Sequence, residues 1–235
     1  MRRFLGDIAD LVLGRRCIGC ELAPTLLCSS CRNHMSGQAL IARDLIFNDV
    51  SENLRIPLAI ANTYAPPLST VIFKYKDNQI PELAHFLADL LAGAIEQIEV
   101  SSQFSPSEIV LIPIPSRRGS RNQRGFDPMA LIAQCLLQQG YRTADALVDH
   151  RSSGRSKTLN IAERKSAAQN AFHMHNESIT TQLSGHQVIV IDDVTTTGAT
   201  LREASELLMQ AGIHVIGCAS IAGSRKRDNR LIQPG

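Results

Sequence analysis

An α/β fold with a mainly parallel central sheet, flanking helices and a small cysteine-bound module at its N-terminus is what this sequence predicts, and three observations predict it. The stretch Val188 to Thr200, VIVIDDVTTTGAT, runs four apolar β-branched residues into two adjacent acids and then into a Thr/Gly turn that opens onto a helical pattern. Glu108 to Pro115, EIVLIPIP, and Ile213 to Ala222, IHVIGCASIA, are further apolar runs of strand length. Cys17, Cys20, Cys28 and Cys31 form C-x2-C-x7-C-x2-C near the start of the chain.

Composition narrows the class. A chain of 235 residues has room for one α/β domain plus a small appendage, and 44% hydrophobic with 20% charged residues excludes disorder over most of it. The net charge of +2 is too small to indicate nucleic acid, so any such argument must come from clustering. No apolar run reaches bilayer-spanning length. The opening MRRFLGDIADLVLG carries acids and lacks a small-residue cleavage site, so it reads as a short amphipathic helix with Phe4, Ile8 and Leu11 or Val12 on one face. The expectation is a cytoplasmic protein, with which metal-type cysteine pairs agree.

Residues 1–36 are expected to form the N-terminal helix and a four-cysteine zinc finger. Each cysteine pair can fold into a knuckle whose two sulfurs face one ion. Four thiolates suit tetrahedral zinc and leave no position for a catalytic water, so the predicted site is structural. Arg2, Arg3, Arg15, Arg16 and Arg32 flank it and suit phosphate contacts, and equally a solvated surface. Residues 37 to about 56 read as a connector. Residues 57–223 form the main domain, and 224–235 a frayed basic tail.

Within the main domain, Pro57 to Tyr64 reads as an edge strand ended by Pro66-Pro67, and apolar spacing from Leu83 to Ile95 predicts a helix beginning near Pro81. Lys74 and Lys76, in FKYKD, precede it near the sheet edge. After EIVLIPIP, the loop SRRGSRNQRGFDP gathers Arg117, Arg118, Arg121 and Arg124, whose guanidinium groups match a pyrophosphate or a nucleic-acid backbone. Asp127-Pro128 caps a helix ending at Gly140, with Cys135 in the core, and a short strand follows around Ala146 to Val148. The segment 150–172, HRSSGRSKTLNIAERKSAAQNAF, reads as a mobile basic stretch able to close over a substrate and exclude water.

The chemistry converges on Val188 to Thr200. Backbone N–H groups of Thr196 to Thr200 lie at a helix N-terminus, where partial positive charge favours an anion, and Asp192 and Asp193 can accept from sugar hydroxyls. Two hydroxyl-binding carboxylates beside one phosphate cup describe a ribose 5-phosphate site. A P-loop is excluded, since no G-x-x-x-x-G-K-[ST] occurs, and G-x-G-x-x-G is absent too.

VIVIDDVTTTGAT closely resembles the 5-phosphoribosyl 1-pyrophosphate (PRPP) signature of type I phosphoribosyltransferases. The cysteine knuckle, FKYKD, LIPIPSRRGSRNQRGFDP, LNIAERKSAAQNAF and that signature, in this order, are similar to the ComF family, also called the competence protein or amidophosphoribosyltransferase-like family. The resemblance covers nearly the whole chain. It implies a type I phosphoribosyltransferase-like fold carrying an N-terminal zinc finger, and a role in DNA uptake or in the use of imported DNA. PRPP would contact Asp192, Asp193, Thr195, Thr196, Thr197, Gly198, Ala199, Thr200, Arg117 and Arg118 with magnesium. Asp192, Asp193 and Arg164 would act in catalysis, and Lys74, Lys76, Arg121 and Arg124 would touch pyrophosphate or nucleic acid. The chain departs from the family's R-G-F-N-Q at Asp127 and Pro128, and from its usual Gln and Asn at Ser156 and Ala167.

Two function classes follow. One is an enzyme that binds PRPP and magnesium and transfers a phosphoribosyl group with release of pyrophosphate. The other is a non-catalytic module that binds single-stranded DNA among DNA-uptake proteins, with PRPP or a nucleotide as regulator. The aromatic content of 4%, with no Trp, offers few stacking platforms for the second.

Overall fold

Val188, Ile189, Val190 and Ile191 are all fully buried, as only a strand covered on both faces can be. The computed structural model that shows this describes residues 16–22, 24–36, 41–47, 54–102, 104, 106–116, 125–149, 171–176 and 178–224. The expected N-terminal helix, Arg117, Arg118, Arg121 and Arg124, the segment around Arg164 and the tail beyond Ser224 lie outside the described residues. Along the chain the elements are α1 (Ser29–Ser36), β1 (Ile41–Phe47), β2 (Leu54–Thr63), α2 (Leu68–Lys76), α3 (Ala84–Ser101), β3 (Ile109–Pro113), α4 (Pro128–Gln138), β4 (Arg142–Thr143), β5 (Leu147–Asp149), β6 (Phe172–Met174), α5 (Ser178–Leu183), β7 (Gln187–Thr195), α6 (Ala199–Gln210) and β8 (His214–Gly223). Single 3-10 turns lie at Pro81–Leu83 and Pro106–Glu108.

The main sheet has the order β1-β2-β8-β7-β3-β4. Every pairing in it is parallel except that of β1 with β2. A separate antiparallel pair joins β5 to β6. Side chains alternate between two cores. Ile189 and Ile191 of β7, with Ile109 and Leu111 of β3, face α2, α3 and α4. Val188 and Val190, with Val110 and Ile112, face α6 and α5. Gly217 of β8 lets α3 approach, because a Cβ there would lie 2.6 Å from Ile98 Cγ2.

The parallel strands end on one edge, where Thr63, Gly223 and Thr195 share a register. From β3 the chain leads through α4 to β4 on one side, and from β7 through α6 to β8 on the other. Helices leaving adjacent strands in opposite directions open a crevice at the carboxyl ends of β3 and β7. Pro113, the last residue of β3, is opposite Ile191, so Asp192 and Asp193 lie just beyond that rung, at the mouth of the crevice.

Two expectations need correction. The stretch 37–56 contains a strand, β1, and the start of β2, rather than connector alone; its inward residues Leu45, Phe47 and Ile56 are buried against the α6 face. Pro57 to Tyr64 does not form an edge strand, because β1 covers its outer side, pairing Asp44 with Pro57 and Ile41 with Ile60. FKYKD precedes the long helix as expected, and its first four residues end a helix of their own, α2.

That helix bridges the carboxyl edge. It begins shortly after Tyr64, whose N–H donates to Gly223 O at 2.9 Å. It ends at Tyr75 and Lys76, where the buried Tyr75 hydroxyl donates to Pro128 O at 2.6 Å. Nine residues at about 1.5 Å rise span roughly 13 Å, against about 14 Å for the three strand spacings from β2 across to β3.

The cysteine module shares the core of the α3 face through Cys17, Leu27, Cys31 and Met35. Asn62, buried at the end of β2, donates from Nδ2 to Met35 O at 2.8 Å, and Arg32 lies over the Phe86 ring at 5.2 Å.

Candidate functional site

The candidate site is built by the end of β7 and the turn after it. Asp192 is on the α6 side of the strand and only 9% exposed; Asp193 points to the α2 side. Lys76 Nζ, arriving on α2, lies 2.5 Å from Asp193 Oδ2. Asp192 Oδ1 accepts from Asp193 N–H at 2.8 Å. Burial raises the Asp192 carboxyl above the usual carboxylate range, to about 8. The neighbouring Asp193 charge pushes the same way, and Lys76 pulls back.

Thr195 is buried, and Thr196 and Thr197 are exposed at the N-terminus of α6. Gly198 takes φ 81°, ψ 7°, a left-handed conformation that side chains disfavour, and a Cβ there would lie 2.6 Å from Leu45 Cδ2. The turn thus needs glycine twice over, for its dihedral and for the close approach of β1. Ala199 N–H donates to Thr197 Oγ1 at 3.3 Å. The arrangement leaves backbone donors at a helix N-terminus beside two carboxylates, able to hold an anion next to a polyol.

The expected residues Asp192, Asp193, Thr195, Thr196, Thr197, Gly198, Ala199 and Thr200 are brought together, and Lys76 joins them. Lys74, two residues earlier on α2, makes no ion pair among the described residues. Arg117, Arg118, Arg121, Arg124 and Arg164 lie outside the described residues, but the neck of the arginine loop does not. Ser116 Oγ donates to Asp127 Oδ1 at 2.9 Å, and Asp127 also accepts from Met129 and Ala130 N–H as the cap of α4. Asp127, where the ComF pattern has Asn, therefore ties one end of that loop to the other.

Two residues escaped the sequence reading. Arg43 of β1 donates from Nη2 to Thr196 O at 3.0 Å. Ser224 Oγ donates to the same oxygen at 3.0 Å, while Ser224 N–H donates to Thr195 O at 3.2 Å. Neither sits in a recognisable motif. Both contacts arise from pairing across the sheet.

The four expected metal ligands do converge. Their sulfurs lie within 4.8 Å of one another. A tetrahedron with Zn–S bonds of about 2.3 Å has S···S edges of about 3.8 Å, and Cys20 Sγ and Cys28 Sγ are 3.7 Å apart. Backbone donors face the sulfurs as a thiolate requires: Cys28 N–H to Cys17 Sγ at 3.3 Å and Cys31 N–H to Cys28 Sγ at 3.4 Å. Burial pushes the Cys17 thiol up, but N–H groups of Cys28, Cys20 and Gly19 outweigh it and bring it down to about 6. Burial raises Cys31. These four side chains could hold zinc.

Among the described residues no helix is long and apolar enough to cross a membrane. Residues 87–232 match the model of the phosphoribosyl transferase domain family. DNA utilization protein YhgH of Escherichia coli (strain K12) is 31% identical over 152 residues, covering 63% of this chain and 64% of that protein, so the chain spans just under two thirds of the relative's length. Competence protein ComFC of Bacillus subtilis (strain 168) is 30% identical over 112 residues, 48% of this chain and 43% of that one. Among solved structures, an adenine phosphoribosyltransferase aligns over 86% of this chain and 96% of its own, with a TM-score of 0.42 and 14% identity. With a family model matched over more than half of its length, the chain belongs to the phosphoribosyl transferase domain family, and its likeness to DNA utilization and competence proteins supports the ComF resemblance.

Proposed function

We propose that the chain binds PRPP with magnesium and transfers its phosphoribosyl group, releasing pyrophosphate, in the use of imported DNA. The observation that carries the reading is the meeting of Asp192 and Asp193 with the Thr195–Thr200 turn at the N-terminus of α6. The 5-phosphate sits on the N–H groups of the turn, and the ribose hydroxyls donate to the two carboxylates. Magnesium fits the donor set: two adjacent carboxylates face one lysine among the described residues, and Asp192, raised first by burial and then by the neighbouring Asp193 charge, has oxygens that a cation would favour in the ionised form. When bound with PRPP, it neutralises the pyrophosphate leaving group.

This chain's own residues have three tasks in that reaction. Asp192 and Asp193 orient the ribose so that the anomeric carbon faces its nucleophile. Lys76 holds Asp193 in place. The arginines at 117 and 118, with Arg164, stabilise charge that develops on the departing pyrophosphate. Zinc on Cys17, Cys20, Cys28 and Cys31 is structural, and the protein works in the cytoplasm.

The names of the relatives, DNA utilization protein and competence protein, favour one second reading, in which the phosphate turn and the arginine loop take the backbone of single-stranded DNA and catalysis is absent. A pyrophosphate-release assay with PRPP, magnesium and a panel of nucleobases and amines separates the two. Release above the no-acceptor control supports transfer. No release with any acceptor, together with oligonucleotide binding that weakens steeply with salt, supports the DNA module.

A further inference from the structure

Arg43 and Ser224 approach the phosphate turn from behind and meet on one atom, the Thr196 carbonyl oxygen, each at 3.0 Å. Arg43 comes from β1, where it shares the inward face with Leu45, the residue that packs under Gly198. Ser224 comes from the end of β8 and holds Thr195 O as well. Among the described residues the guanidinium of Arg43 has no carboxylate partner, so its charge is directed at the turn.

A trans peptide is planar, and its C=O and N–H point in opposite directions. Two donors fixing the Thr196 carbonyl therefore fix the Thr197 N–H on the opposite side, away from β1 and β8. That N–H has no backbone acceptor among the described residues, and Thr197 is exposed. A charged donor on the carbonyl also polarises the amide, strengthening the N–H as a donor.

We infer that Arg43 is a positioning residue of the phosphate turn: with Ser224 it locks the Thr196–Thr197 peptide so that the Thr197 N–H is presented to the 5-phosphate of a phosphorylated sugar. Arg43 acts through the peptide and does not touch the ligand. The inference rests on the reading of this turn as the 5-phosphate cup.

The test uses the full chain and ribose 5-phosphate as probe, with affinity measured by calorimetry and the Thr197 amide proton followed by NMR. In the wild type the ligand binds and shifts that proton downfield. Arg43→Met is expected to lose roughly ten- to a hundredfold in affinity, the range for one hydrogen bond from a charged donor, and most of the shift. Arg43→Lys, which keeps a charged donor, is expected to fall between them. Arg55→Gln, which breaks only the exposed pair with Asp44, is expected to match the wild type. Wild-type affinity and an unchanged Thr197 shift in Arg43→Met overturn the inference alone, whereas a wild type that binds no ribose 5-phosphate overturns it together with the phosphate-cup reading. Should Arg43→Met not fold, Arg43→Lys and Ser224→Ala carry the test, and wild-type binding in both overturns the inference.

Discussion

Lys76 Nζ lies 2.5 Å from Asp193 Oδ2, joining the last residue of α2 to the carboxyl end of β7 across 117 positions of sequence. The two side chains are 21% and 14% exposed, so the pair is largely withdrawn from water. Such a pair costs desolvation to form, and its weight appears when one partner is removed. It also fixes the end of α2 over the crevice and holds the Asp193 carboxylate in place.

Lys76→Met is expected to lower unfolding free energy by about 3 kcal/mol, because it strands Asp193 beside Asp192 with no cation partner among the described residues. Adding Asp193→Asn should restore most of that loss. Urea denaturation of both single variants and the double variant gives the coupling directly; additive losses would mean that the pair contributes nothing as a pair.

The raised Asp192 carboxyl predicts a pH dependence of the ligand-free protein. Its folded value, about 8, is above the unfolded value of about 3.9. Between these values the folded state binds more protons than the unfolded state, so the contribution is fully present below about pH 4 and is lost as pH rises through about 8. Melting temperatures from pH 5 to 9 should therefore fall more steeply in the wild type than in Asp192→Asn. Parallel curves for the two proteins would contradict the assignment.

Gly198→Ala meets two obstacles. The left-handed dihedral costs about 1–2 kcal/mol for an alanine, and the 2.6 Å approach to Leu45 Cδ2 forces that buried side chain or the turn to shift. Combining it with Leu45→Ala relieves only the second obstacle. Thermal melts should show both variants below their Gly198 parents, and ribose 5-phosphate binding should be weaker in Gly198→Ala.

Zinc removal should be felt well beyond the knuckles, since Cys17, Leu27, Cys31 and Met35 belong to the core of the α3 face and Met35 O is held by Asn62. Freshly purified protein is expected to carry stoichiometric zinc. Chelation, or Cys28→Ser, should lower the melting temperature by on the order of 10 °C. Zinc-free protein with an unchanged melting temperature would overturn this.

What could be read from sequence tracks how local the physics is. The strand at Val188–Ile191 was legible because burial on both faces leaves a continuous apolar run, and α4 because Asp127-Pro128 is a cap that acts on its own first turn. The cysteine spacing likewise encodes its own geometry. β1 was not legible: as an edge strand it has one buried face, and its Arg43, Asp44 and flanking Gly, Asn and Ser residues resemble a linker. α2 was not either, since Thr70, Val71 and Ile72 favour strands and Pro67 supplies no side-chain cap. The contacts of Arg43 with Thr196 and of Lys76 with Asp193 join residues more than a hundred positions apart, and no local pattern announces them.

The central claim, that Asp192, Asp193 and the Thr195–Thr200 turn hold a phosphorylated ribose, is tested most directly by calorimetric titration of the full chain with PRPP and magnesium. Saturable binding is predicted for the wild type, with a loss of at least tenfold in both Asp192→Asn and Asp193→Asn while their folds persist by circular dichroism, that factor corresponding to roughly 1.4 kcal/mol. No heat of binding in the wild type, or equal affinity in all three proteins, would contradict it.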